Sequence, residues 1–86
     1  MKISVELTLT PLQDDFETPI KSFIKQLRAS GFTVLENPLS TQVFGDYDDL
    51  MPFLTREIKT TFANTDHVLL NMKIVKSDRS DYEPDF

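Results

Sequence analysis

The run Ser40-Thr41-Gln42, with Phe44 just beyond it, places hydroxyl and amide groups beside an aromatic ring in a stretch otherwise built like a strand. Hydroxyls and amides donate and accept hydrogen bonds and a ring supplies an apolar wall, so this set suits a flat heterocycle. Phe44 also has a plainer reading, packing where two subunits meet. Glu6 is the other candidate, a carboxylate in the middle of the alternating segment ISVELTLT. If its face is covered, the carboxylate requires a partner, either a cation such as Lys73 or a ligand that donates hydrogen bonds.

Other chemistries are poorly served. The single His67 has no G-x-S-x-G elbow to act on, and two glycines, Gly31 and Gly45, cannot form a phosphate-cradling loop. With no cysteine there is no disulfide, thiolate nucleophile or cysteine-ligated metal. The acidic run DYDD at 46–49 fails as a calcium loop, because glycine and an oxygen ligand would be needed where Met51 and Leu50 stand. Helix capping explains those carboxylates. The expectation is therefore a protein with no catalytic residue, metal or cofactor, and not an enzyme.

Fourteen acidic residues against nine basic ones give a net charge of −5, which repels a phosphate backbone and disfavours nucleic acid. Over the whole surface, that balance slightly favours a cationic ligand. No run approaches the ~18 apolar residues of a membrane span, and the first strand alternates where a signal peptide would be uniformly apolar. A cytoplasmic protein without a membrane partner is expected.

The elements that position these groups are legible from periodicity. Residues 2 to 11 alternate, with Ile3, Val5, Leu7 and Leu9 on one side and Glu6 and Thr8 on the other, as in a half-buried strand. Thr18-Pro19 resembles an N-cap and first helical position, Ile20, Phe23, Ile24 and Leu27 form one helical stripe, and Gly31 ends it. Two short strands at 32–37 and 40–45 follow, joined through Pro38-Leu39. A second helix begins at Asp48 or Asp49 with Leu50, Leu54, Ile58 and Phe62 on one stripe and Pro52 in its first turn; Asn64 closes it before a last strand at 67–76. The resulting order βαββαβ implies an α+β ferredoxin-like sandwich, a four-stranded antiparallel sheet with both helices on one face and the first and third strands central. Residues 1–77 form this single domain, and 78–86 read as a polar C-terminal tail.

On that fold Glu6, Gln42, Phe44, Asn71 and Lys73 share the helix-free face with Leu69 and Val75. The face is too apolar to stay wet, and a second copy of the chain is the most economical cover. The fold order is shared with RNA-recognition modules, but the third strand STQVFGDY has none of their basic character.

ISVELTLTPL, GFTVLENPLSTQVFGDYDDLM and VLLNMKIVKSD together resemble the small YkoF-like proteins that bind thiamine or hydroxymethylpyrimidine, with NPLSTQVFGD the most specific part. The resemblance implies a cytosolic homo-oligomer, dimer or tetramer, that binds thiamine or its pyrimidine moiety in vitamin salvage or transport. It also implies ligand contacts from Asn37, Ser40, Thr41 and Gln42, with Glu6 accepting from the aminopyrimidine edge and Phe44 as the ring wall. The rival expectation is a homo-oligomeric interaction or regulatory module with no small-molecule ligand.

Overall fold

The computed structural model describes residues 1–86 as β1 (Lys2–Pro11), α1 (Glu17–Arg28), β2 (Thr33–Glu36), β3 (Thr41–Asp46), α2 (Tyr47–Ala63) and β4 (Val68–Val75). The four strands pair antiparallel in the order β2-β3-β1-β4, so β1 and β3 are central, as expected of the ferredoxin-like α+β fold. Ile3, Val5, Leu7 and Val43 from the sheet and Phe23, Leu27, Leu50 and Leu54 from the helices make one core. Alternation in β1 and β3 therefore commits one sheet face to the helices and leaves Ser4, Glu6, Gln42 and Phe44 on the other.

Both helices begin earlier than their sequence signals. In α1 the capping role assigned to Thr18 falls to Asp15, whose Oδ1 accepts from the Thr18 amide at 3.3 Å and the Thr18 hydroxyl at 3.0 Å. A carboxylate is the stronger acceptor, and Pro19 is left at the third helical position. In α2 the Asp46 side chain accepts from the Asp48 amide, so the helix starts at Tyr47 and Pro52 falls in its second turn, not its first. The bond that an amide at 52 would make to the Asp48 carbonyl is missing, and Asp48 faces water. The apolar stripe of α2 also fades, with Leu50 and Leu54 fully buried while Phe62 is 46% exposed.

At the end of α1, Gly31 adopts φ +87°, a left-handed turn that an L side chain would strain. The adjoining Arg28 guanidinium holds the Glu36 carboxylate of β2 through bonds of 2.6 and 2.7 Å. This contact raises the Arg28 pKa and lowers that of Glu36, the side-chain hydrogen bond being the main cause for each.

Gly45 has a different role. A Cβ there would lie 2.7 Å from Phe32 Cδ1, and the Phe32 ring itself packs against Phe53 with centroids 5.6 Å apart. Gly45→Ala must displace that ring, an overpacking cost of about 1–3 kcal/mol, against a gain of roughly 0.5–1 kcal/mol from removing a strand glycine. The expected net loss, about 0–2.5 kcal/mol by urea denaturation, is smallest if Phe32 swings aside without losing Phe53.

Candidate functional site

The register of the central strands assembles the site. Glu6 stands opposite Gln42 on β3 and Lys73 on β4, and Ser4 stands opposite Phe44 and Val75. These six side chains, with Arg79, line a shallow pocket of about 200 Å³ on the helix-free face. Glu6 Oε2 accepts a 3.0 Å hydrogen bond from the Ser40 hydroxyl, and Oε1 lies 3.8 Å from the Lys73 ammonium. The Glu6 side chain remains 40% exposed. An ionised carboxylate has about four lone-pair sites, so acceptor capacity remains toward the pocket.

Of the six residues singled out in the sequence, the structure brings four together: Glu6, Gln42 and Phe44 in the pocket, and Ser40 joined to it through Glu6. Thr41 is elsewhere. It pairs with Leu7 and is buried on the helix side, because adjacent strand residues point to opposite faces. With Asn37 and Ser40 it lines a separate pocket of about 210 Å³ between the β2–β3 turn and α1, so Ser40 stands at the wall of this pocket while its hydroxyl reaches Glu6. Asn37 also has a local task, since its Oδ1 accepts from the amides of Leu39 at 3.1 Å and Ser40 at 3.0 Å. Such bonds hold the turn that delivers Ser40 to Glu6.

Sequence reasoning missed the contribution of the C-terminal segment. Beyond β4 the chain bends back over the open face, and Ser4 fastens it. The Ser4 hydroxyl donates to the Ser77 carbonyl at 2.7 Å and accepts from the Arg79 amide at 2.9 Å. The segment is braced by the Asp78 carboxylate, which accepts from the Ser80 amide at 2.9 Å and its hydroxyl at 2.6 Å. Those two bonds, and more weakly the charge of Lys2, hold the Asp78 pKa below its ordinary value. Phe44, opposite Ser4 in the sheet, is only 7% exposed although no helix lies on its side of the sheet. The one sequence signal was Ser4 itself, a small hydroxyl where a paired strand needs none.

A larger groove of about 440 Å³ runs between α1 and α2, lined mostly by hydroxyls and amides such as Ser22, Gln26, Thr61 and Asn64. It gathers no cation and a single carboxylate, Glu57, so it offers less convergent chemistry than the sheet face. His67 is exposed, and its main-chain carbonyl accepts from the Leu12 amide at 2.7 Å, tying the end of β1 to the start of β4. No group of three or more acidic or histidine side chains is placed to hold a metal ion, and no helix is long and apolar enough to cross a membrane.

Fold and site together define a ferredoxin-like domain whose open sheet face carries a charged, aromatic-walled pocket. Residues 5–85 match the thiamine-binding protein family, and the chain belongs to it. Solved structures agree on the fold. A Streptococcus pneumoniae protein is 28% identical with a TM-score of 0.83, covering 94% of this chain and 92% of its own. A Thermotoga maritima protein provisionally assigned to thiamine biosynthesis or salvage is 18% identical with a TM-score of 0.80, covering 90% and 85%. A Bacillus cereus domain of unknown function is 15% identical with a TM-score of 0.73, covering 91% and 78%. Among curated proteins, none matches the chain by sequence.

Proposed function

We propose that this chain is a non-catalytic cytosolic binder of thiamine or its hydroxymethylpyrimidine moiety, serving vitamin salvage or transport. The observation that carries the reading is the Glu6 carboxylate, half exposed between Gln42 and Lys73, with Phe44 two residues along the neighbouring strand. The exocyclic amine of an aminopyrimidine donates to Glu6, the Gln42 amide meets a ring nitrogen, and the flat face lies toward Phe44 and Val75. Membership of the thiamine-binding family supports this ligand class. Ser40 orients the carboxylate. Asn37 acts through the turn that carries Ser40, and Thr41, on the other face, stays with the core in this reading.

The pocket, at about 200 Å³, is smaller than the ~300–1,000 Å³ of sites that enclose an organic ligand, so one chain covers only part of the molecule. A second copy completes the enclosure. Leu35 and Leu69, 46% and 51% exposed, flank the helix-free face, and the eight-residue β4 is an open sheet edge. The assembly is accordingly a homodimer or a pair of dimers. Titration calorimetry with thiamine and with hydroxymethylpyrimidine tests the reading, with sedimentation run on the same samples. Heat from either ligand supports it; no heat and no thermal shift at millimolar ligand sinks it. The same exposed leucines favour the second reading, a homo-oligomeric interaction or regulatory module, which predicts assembly in sedimentation with no ligand response.

A further inference from the structure

The charge lining the sheet-face pocket opposes that of the molecule. The chain carries −5 overall, yet the pocket is lined by two cations, Lys73 and Arg79, and one carboxylate, Glu6. Lys73 is shared with Glu6 at 3.8 Å, which leaves Arg79 as the cation without a carboxylate partner. Its Nε donates to the Ser77 hydroxyl at 2.9 Å, and neither terminal guanidinium nitrogen has a protein partner. Held at Nε, a guanidinium is pre-organised and presents its remaining N–H groups in the fork that suits phosphate oxygens. Positioning comes from the far end of the sequence, because the Arg79 backbone amide is anchored on Ser4, itself buried in the central strand.

We infer that this pocket recognises a phosphate monoester of a small aminopyrimidine alcohol, with the amino heterocycle at Glu6 and Gln42 and the phosphate at Arg79 assisted by Lys73. The inference rests on the proposal that the pocket binds the pyrimidine moiety, and it adds the anionic group that proposal lacks. Whole-molecule charge favours a cation; local charge at the pocket decides otherwise, because a few ångströms separate these groups from the ligand while most surface carboxylates are screened beyond roughly 8–10 Å. Ser4 is a positioning residue: its hydroxyl donates to the Ser77 carbonyl and accepts from the Arg79 amide, which fixes the strap that carries Arg79.

Titration calorimetry on the full chain at low salt tests this with three probes: hydroxymethylpyrimidine, its phosphate monoester and inorganic phosphate. The ester is expected to bind on the order of tenfold more tightly than the alcohol in the unaltered protein, one added charge-assisted contact. Arg79→Gln should bring that ratio close to one and Arg79→Lys should restore part of it. Ser4→Ala should lower the ratio while circular dichroism shows the fold intact; if Ser4→Ala fails to fold, the exposed Arg79 side chain still carries the test. Equal affinity for ester and alcohol in the unaltered protein, or a preference that survives Arg79→Gln, overturns the inference and leaves pyrimidine binding standing. Inorganic phosphate binding as tightly as the ester marks a general anion site and overturns it too. No binding of either pyrimidine overturns this inference and the parent reading together.

Discussion

Glu6→Gln is expected to weaken binding of hydroxymethylpyrimidine or thiamine by about 1–3 kcal/mol, with little change in the stability of the free protein. The substitution keeps size and shape and removes the negative charge. A hydrogen bond from an amine to a carboxylate is roughly twice as strong as one between neutral groups, and the replacement amide also turns one acceptor into a donor that opposes the ligand amine. Stability should hold because the Glu6–Lys73 pair is long and solvent-facing, at 3.8 Å with side chains 40% and 73% exposed. Exposed pairs of this kind contribute about 0–1 kcal/mol. Calorimetric affinity and a urea midpoint measured on one preparation separate the two effects. An unchanged affinity would return Glu6 to a purely local role, holding Ser40 and Lys73 in place.

Leu54→Ala should cost about 2–5 kcal/mol of folding free energy, the range for truncating a fully buried leucine whose surroundings relax only in part. Leu54 is wholly buried among Val5, Val43, Leu27 and Leu50, where α2 meets the central strands. A domain of this size has roughly 5–15 kcal/mol to lose, so the variant approaches the threshold of folding. Phe62→Ala provides the control, since Phe62 belongs to the same sequence stripe yet is 46% exposed and should cost well under about 2 kcal/mol. Urea denaturation with an unchanged slope measures both. Equal losses at the two positions would mean that α2 packs along its whole length, contrary to the burial of its residues.

The strand-and-helix order was written in local pattern. Alternation in ISVELTLT, the stripe Phe23–Leu27 and the paired short strands around Pro38 each fixed one element, and right-handed connection left one way to stack them. The same alternation placed Glu6, Gln42 and Phe44 on the helix-free face and Lys73 beside Glu6, because strand periodicity converts sequence parity directly into facing. Parity also held the means of separating Thr41 from Gln42, which the resemblance to a known family had grouped in one contact set. Helix starts were less legible, since Asp15 and Asp46 compete with nearby residues to satisfy the free amides and only geometry decides between them. Apart from the Ser4 hydroxyl, the strap had no local signature. Ser4 and Arg79 lie 75 residues apart, and a hydroxyl bonded to backbone groups imposes no pattern on the residues between. Sequence parity thus determined which face carries Glu6, Gln42 and Phe44, and tertiary closure alone decided that the segment after β4 brings Arg79 to that face.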